Sequence, residues 1–538
     1  MVWRWWVGLL WLGAILLLFS HLGDLPLRDW DEALVARVAQ EISLRPFPAN
    51  LLPTLWGEPY LNKPPLLHTL IAAAIGLWRG VVGGEAAAEL PPEWVVRAIP
   101  ALVSSLIVPL LALVQWRLRP GDRLAAVCSA AIALTLLPLM RHGRLAMLDG
   151  SLISAMALQW WALLSLPPDP KPADHCRWGL IAGGAASAIM LLKAPASLPL
   201  LAGACLLLGL ERRWRPRQWL PLLGWIAIGL LPGILWHGWH LLARGPEALT
   251  MWGSQGLARV VSSLEGHSGG WLVPVTEVLE GGWPWLSLWP LAMVVALQER
   301  GTRWGFWSIG LTVITAAAVL PLRTQLPWYS HLLWPSFAIS VGPLLAQLIQ
   351  RDSSKLWLCR RVLPWVPWLW IVAGAGFLVA HGQLPLPVGV SLPVACALLL
   401  GGSLLISSQR RWRQWGAAVL VALLWLALFD LFASRIWLWE LAESWSVPPV
   451  AAWMQPRLGA DGSAPLLLQG DERPSLNWYL DRELITGAKA RRQLRHSEQQ
   501  QWVLSDQDPS SPKLSCRLEE KASNITPQGP DLYSCQPR

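Results

Sequence analysis

Charge is scarce in this chain. Of its 538 residues only 14% are charged, against 54% hydrophobic, and the mean hydropathy is positive at +0.40. That shortage excludes a soluble globular fold for most of the length. Strict alternation of apolar and polar residues is also missing, which excludes a transmembrane β-barrel. The seven cysteines are scattered, with no CxxC pair and no metal-ligand spacing. Only Cys516 and Cys535 lie in the polar tail, where an oxidising compartment would let them pair. No small-residue cleavage site follows the first apolar run, Trp5–Leu22, and Arg4 precedes it. That run reads as a retained span rather than a removed signal peptide.

What the chain does have is a succession of apolar runs of roughly 18 residues or more, the length a helix needs to cross a hydrocarbon core. After the first, they are Trp94–Trp116, Leu124–Met140, Gly150–Leu166, Trp178–Leu192, Ala196–Leu210, Trp219–Leu241, Pro284–Leu297, Trp304–Leu320, Leu332–Ile349, Leu363–Ala380, Val388–Ile406 and Trp415–Phe432. The expectation is an all-α polytopic membrane protein with about thirteen transmembrane helices. The many tryptophans suit interfacial belts and packing.

Basic clusters set the orientation. Arg117/Arg119/Arg123, Lys171/Arg177, the arginines at 212, 213, 215 and 217, Arg300/Arg303, Arg351/Lys355/Arg360/Arg361 and Arg410/Arg411/Arg413 fall in alternate loops, as does Arg4. Those loops are expected to be cytoplasmic. They account for the net charge of +9 without a nucleic-acid partner. The run from Pro64 to Leu77 would break the alternation if it crossed, because the loop after it carries Glu85, Glu89 and Glu93 and no lysine or arginine. It is therefore expected to lie at the outer surface as a re-entrant or interfacial helix.

Two domains follow. Residues 1–434 form the transmembrane module, with 23–93 as a large first external loop, and 435–538 form a small external α/β domain, whose short apolar runs alternate with turns.

With this topology the unusual polar residues collect on the external face. Asp29, Asp31, Glu32 and Lys63 lie in the first loop, and Arg141, Arg144 and Asp149 in the second. Lys193 stands in a tight turn before Pro195. Arg259 and His267 share another loop, and Arg323, Gln325, Tyr329 and His331 a further one. Ionisable groups near a membrane are costly, which makes them functional candidates, and convergence from five loops points to one site. Each also has a structural reading. Asp29 followed by Glu32 has capping-box spacing, Asp149 could cap the helix that follows it, and Lys63 could snorkel. Asp31 is free of capping duty, and Pro64-Pro65 fix the backbone that aims Lys63.

The segments DWDEALVARVAQEI (Asp29–Ile42) and WGEPYLNKPPLLHTL (Trp56–Leu70) resemble the membrane glycosyltransferases related to 4-amino-4-deoxy-L-arabinose transferase and dolichyl-phosphate-mannose-protein mannosyltransferase. The likeness continues through GRLAMLDGSL, LLKAPASL, SQGLARV, QLPWYSHLLWPSF and ERPSLNWYL, and so covers nearly the whole chain. It implies a GT-C-type fold with its active site on the periplasmic side of the cytoplasmic (inner) membrane. The implied donor is a polyprenyl-phosphate sugar, and the implied acceptor a lipid or cell-envelope glycan. The membrane lipids are partners too.

Residue by residue, the resemblance implies that Asp31 acts as general base on the acceptor or orients it, with Asp149 assisting and Glu32 beside it in the acidic motif. Lys63, Lys193, Arg259 and Arg323 would hold the donor phosphate. No cofactor is required on this reading; a divalent metal is the one it admits, with His267 as candidate ligand. Asn62 stands where relatives often have Glu, which weakens that metal site, and Gln325 stands where a lysine is frequent. The rival readings are a protein O-mannosyltransferase-like enzyme and a lipid transporter or flippase, the latter expected to place charges near the membrane midplane.

Overall fold

The structure is a computed structural model that describes residues 2–85, 89–262, 270–351, 357–441, 445–457, 466–470, 472–496, 501–510, 514–521, 526 and 529–537. In chain order its helices begin with α1 (Val2–Phe19), α2 (Leu34–Leu44), α3 (Leu66–Val82), α4 (Glu93–Ser105), α5 (Ile107–Leu118), α6 (Arg123–Thr135) and α7 (Leu137–Gly143). There follow α8 (Leu148–Ser165), α9 (Pro172–Leu192), α10 (Ala194–Arg212), α11 (Pro216–Arg244), α12 (Ala258–Val261), α13 (Leu272–Gly281), α14 (Trp289–Gln298), α15 (Arg303–Val319) and α16 (Trp334–Gln350). The last are α17 (Trp357–Val362), α18 (Val366–Ala380), α19 (Val388–Ile406), α20 (Arg410–Ala433), α21 (Val447–Met454), α22 (Pro474–Tyr479) and α23 (Gly487–His496).

Every expected span falls on a helix or a helix pair, and the chain is a multi-pass membrane protein. Among the described residues six segments are long and apolar enough to cross by length and composition: Glu93–Leu118, Ala194–Arg212, Arg217–Val260, Cys359–Ala380, Val388–Ile406 and Arg410–Ala433. The pair α6 and α7, bent by 60°, passes the same test together, as a broken span or a re-entrant loop. The others of the expected thirteen or so coincide with shorter helices, such as α1 and α14, or with α8 and α9, whose apolar character is diluted by polar residues.

The chain divides into two compact units. The first comprises Met1–Leu22, Leu61–Leu67 and Arg97–Trp437; the second comprises Gly23–Tyr60, His68–Val96 and Leu438–Arg538.

The first unit is a helical bundle whose closest crossings run through small residues, as expected where lipid removes the hydrophobic drive for helices to associate. A Cβ on Gly183 of α9 would overlap the Ile226 carbonyl oxygen of α11, and one on Gly229 would come within 2.7 Å of the Gly184 amide nitrogen. Tryptophans serve as internal struts as well as rim residues. Trp285 donates to Thr135 Oγ1 at 2.9 Å, Trp304 to the Ile339 carbonyl at 3.2 Å and Trp370 to Ser287 Oγ at 2.9 Å, so each ring is buried with its polar N–H satisfied. Arginines inside this unit are held the same way. Arg97 donates to the Leu22 carbonyl at 3.0 Å; Arg144 donates to the Ser20 carbonyl and stacks 4.4 Å from the Phe432 ring and 4.7 Å from that of Trp437.

The second unit contains a two-stranded hairpin, β1 (Thr54–Leu55) and β2 (Glu58–Pro59), and a five-stranded sheet. The sheet consists of β3 (Leu466–Gln469), β4 (Ile485–Thr486), β5 (Gln501–Ser505), β6 (Leu514–Glu520) and β7 (Asp531–Pro537), in the order β4-β3-β5-β7-β6. β4, β3 and β5 run parallel, while β7 is antiparallel to β5 and β6. Leu466 and Leu468 face a core with α21 and α22, whereas Leu467 packs with Ala490 and Leu494 of α23. Apolar side chains thus cover both faces, as parallel strands require, and the small α/β region expected in the tail is present. Cys516 and Cys535 are direct cross-strand partners of β6 and β7 and form a disulfide.

The α9–α11 crossing gives a first prediction. Gly183→Ile, which drives a branched side chain into the Ile226 carbonyl, should destabilise the detergent-solubilised protein by roughly 2 kcal/mol or more. Gly184→Ile should be close to neutral, because a Cβ there meets nothing within 4 Å. Thermal unfolding of both variants measures the difference.

Candidate active site

In the first unit, breaks between helices gather the charged residues. α8 starts after Met147, whose extended backbone ends the preceding loop. Asp149 does not cap this helix; its Oδ1 accepts from Lys193 Nζ at 3.1 Å. Lys193 interrupts two helices: its N–H still closes α9 on the Ile189 carbonyl at 2.7 Å, but its backbone is extended (φ −148°, ψ 82°) before α10 begins. This non-helical residue in the tight turn aims the lysine at Asp149 and puts Nζ 4.3 Å from the centre of the Tyr329 ring.

Tyr329 lies in a 3₁₀ segment, Pro327–Leu332, and its hydroxyl accepts from Arg259 Nη1 at 3.1 Å. Arg259 also donates to Gln255 Oε1 at 3.0 Å, while its carbonyl accepts the N–H groups of Arg323 (3.0 Å) and Thr324 (3.1 Å). Asp149, Arg259 and Tyr329 are buried, whereas the Lys193 side chain keeps 27% of its exposure. Lys63 and His331 lie within electrostatic reach of Asp149. The structure therefore brings together four of the residues singled out in the sequence, Asp149, Lys193, Arg259 and Tyr329. Two cations surround one carboxylate and one phenol.

Two members of the same loop take other positions. The Arg323 side chain is exposed. Gln325 is buried, and its amide donates to the Val319 (2.7 Å) and Leu322 (2.9 Å) carbonyls, so it stabilises the loop.

In the second unit, the acidic motif forms a single π-helical turn, Asp29–Ala33, closed by the Ala33 N–H on the Arg28 carbonyl at 2.8 Å. Such wide turns commonly mark functional positions. Its three acids have different surroundings. Asp29 is buried and accepts from Arg473 Nε at 2.6 Å and from the Ser475 N–H at 3.0 Å, and also from Ser475 Oγ. Its capping reading is replaced by a tie to ERPSLNWYL. Glu32 is fully buried and accepts from the Arg28 N–H at 3.2 Å. Asp31 is half-buried, beside the exposed Trp30, and its charge reaches the buried Tyr60 phenol.

Sequence reasoning missed Glu41. Its carboxylate accepts from Thr54 Oγ1 (2.6 Å), the Trp56 N–H (2.6 Å), the Gly57 N–H (3.2 Å) and Arg37 Nε (2.9 Å). Trp56 and Gly57 both have positive φ, 56° and 83°, which identifies the β1–β2 connection as a type I′ turn. Arg37 stacks 3.6 Å from the Trp56 ring centre and pairs with Asp481 at 2.6 Å. The signal that could have found this was an acid next to Ile42 in α2, just ahead of a Trp-Gly turn.

Among the described residues no group of three or more His, Cys, Asp or Glu side chains could hold a metal ion. His267 lies outside the described residues.

Residues 59–244 match the family model for dolichyl-phosphate-mannose-protein mannosyltransferase. No curated protein matches the chain. Among solved structures, ArnT from Cupriavidus metallidurans bound to undecaprenyl phosphate is 18% identical with a TM-score of 0.73, and the match covers 98% of both chains. The same enzyme in its apo state gives 17% identity and a TM-score of 0.75 over 99% of this chain and 98% of that one. The arabinofuranosyltransferase AftD from Mycobacteria is 13% identical with a TM-score of 0.51, covering 99% of this chain and 40% of the other. This chain therefore has the GT-C-type fold of ArnT over essentially its full length.

The Glu41 cluster generates a pH prediction. Burial alone would raise this carboxyl, but the hydrogen bonds from Thr54 and Gly57, with Arg37, outweigh burial and hold it below its ordinary value. A folded-state pKa below the unfolded one, about 4.3 for glutamate, adds stability that is present at neutral pH and is lost as pH falls through the folded value. Between pH 6 and pH 3.5 (about the titration range of a glutamate), the melting temperature of the natural chain should therefore fall further than that of Glu41→Gln. Parallel curves would remove Glu41 as a source of acid sensitivity.

Proposed function

We propose that this protein is a membrane glycosyltransferase that moves a sugar from a polyprenyl-phosphate donor to a lipid or glycan of the cell envelope. Its site faces the periplasmic side of the cytoplasmic membrane. The observation that carries this reading is the Lys193–Asp149–Tyr329–Arg259 cluster, built at helix breaks of a bundle that shares the fold of an enzyme crystallised with undecaprenyl phosphate. Two buried or half-buried cations with so little carboxylate beside them suit a ligand that brings its own negative charge.

The roles follow from the chemistry. A polyprenyl phosphate leaves well once its oxygens are neutralised, and fixed cations in a water-poor site act strongly on developing negative charge. Lys193 and Arg259 supply that charge. Lys63 adds to the positive field, and Arg323, exposed beside Arg259, meets the donor on entry. The Tyr329 hydroxyl offers a hydrogen bond, and Asp149 holds Lys193 in place. Asp31, the acid of its turn that keeps exposure, takes the acceptor proton; direct displacement then inverts the anomeric centre. Glu32, fully buried, supports the turn. A divalent metal enters no step of this scheme.

The alternate basic loops support a cytoplasmic location for the opposite face. The Cys516–Cys535 disulfide supports an oxidising compartment for residues 435–538 as an external domain. The family model over 59–244 favours a protein hydroxyl as the second candidate acceptor.

Transfer from labelled polyprenyl-phosphate sugars to envelope extract, or to a peptide carrying free hydroxyls, tests the reading in proteoliposomes. Asp31→Asn should lower the rate about 10²–10⁴-fold, with donor binding retained. Lys193→Ala should lower it about 10²-fold or more and weaken donor binding as well. Full activity in Asp31→Asn would sink the catalytic assignment, and the labelled product identifies the acceptor.

A further inference from the structure

At the far end of α8, about 24 Å along the helix from Asp149, a charged cavity opens. It measures about 420 Å³ and is lined by Trp116, Arg117, Ser165, Glu211, Arg212 and Arg303 together with the Leu166–Pro168 turn. All belong to the first unit, at one end of α5, α8, α10 and α15. None takes part in the scheme above.

Its charges do not balance. Glu211 is the one acid of the lining, and it is already engaged: Oε1 pairs with Arg303 Nε at 2.8 Å and Oε2 accepts from Trp307 Nε1 at 2.8 Å. Arg303 is engaged too, donating also to the Arg117 (3.0 Å) and Leu164 (3.2 Å) carbonyls. Arg212 gives one N–H to the Leu166 carbonyl at 2.8 Å, but its Nε is buried with no partner among the described residues. Arg117 has no carboxylate partner among them, and it feels the like charge of Arg177, as Arg303 feels that of Arg212.

A second, independent feature is uncharged. Ser165 is 7% exposed, lines the cavity, and its hydroxyl has no partner among the described residues. A buried hydroxyl and a guanidinium N–H without acceptors are both costly unless a ligand supplies oxygens.

The missing group must be anionic and oxygen-rich, and the shared chemistry of such groups at a membrane is phosphate. The apolar part of the lining, Trp116 with Leu164, Leu166 and three prolines, argues for a phosphate attached to a greasy body, and basic pockets between membrane helices take headgroups of this kind. We infer that this cavity binds the phosphate of an anionic membrane lipid, at the bundle end opposite Asp149 and Lys193. Arg117 and Arg212 neutralise the phosphate, Ser165 donates to one of its oxygens, and the Glu211–Arg303 pair props the wall.

The test measures retention of phosphatidylglycerol by the purified full chain in nanodiscs, against phosphatidylcholine and against inorganic phosphate in detergent. The natural chain should retain phosphatidylglycerol selectively. Arg117→Gln with Arg212→Gln should weaken that retention about thirtyfold, since each arginine near a membrane surface contributes about fivefold. Should the double variant fail to fold, Ser165→Leu fills the cavity without changing its charge and should weaken retention alone. Equal retention in a folded variant and the natural chain would overturn the inference. Binding of inorganic phosphate as tight as that of the lipid would overturn the lipid assignment.

Discussion

An ammonium and a carboxylate that have left water are stable only with each other or with a ligand, and the Lys193–Asp149 pair applies that constraint to the whole first unit. The pair sits where α9 ends, α10 begins and α8 starts, so three helix ends are fixed by one 3.1 Å contact. Removing one partner of such a pair typically costs about 3–5 kcal/mol, because the other charge stays buried and uncompensated. A related rule applies to three further buried arginines. Arg144 and Arg413 end on the Ser20 and Ile349 carbonyls at helix ends, and Arg97 ends on the Leu22 carbonyl in the turn after α1. Charge and helix ends thus solve each other's problem. Where an arginine or lysine keeps donors to spare, a ligand is the natural third party.

The candidate residues also share a backbone origin. Lys193 stands in an extended break, Tyr329 in a 3₁₀ segment, Asp31 in a π-helical turn, and Asp149 two residues after an extended Met147. A regular helix points its side chains at its neighbours with fixed spacing, which suits packing and offers few convergent polar groups. Irregular backbone inside a membrane protein is tolerated where it is enclosed by protein or lines a polar cavity. The breaks are therefore both the cost and the means of building a polar site within an apolar bundle.

That distinction decides what could be read in advance. Runs of apolar residues gave the helices, and a lysine before proline at the end of such a run marked Lys193, because both signals are local. KPP marked Lys63 for the same reason. Pairings across long separations left no trace: nothing near Asp29 announces Arg473 and Ser475, which lie more than 400 residues away, and its spacing to Glu32 pointed to a cap instead. Nor did the length of the apolar runs separate helices that can cross a membrane by composition from those that are short or partly polar, since an enclosed helix is released from the lipid's demand. Glu41 escaped notice because two of its four donors, the Trp56 and Gly57 N–H groups, come from a turn of positive φ, and a third, Thr54, from the strand before it.

The turn Asp29–Ala33 shows how one short motif can divide its labour. A carboxylate that accepts three hydrogen bonds from buried neighbours, as Asp29 does, has little lone-pair capacity left for another donor. One sealed at 0% exposure, as Glu32 is, cannot reach an acceptor without opening the turn. Both are well suited to hold a wide helical turn in place. A general base needs the opposite properties, a free approach and a support that does not move. Asp31, the proposed base, is the half-buried acid between these two buried ones.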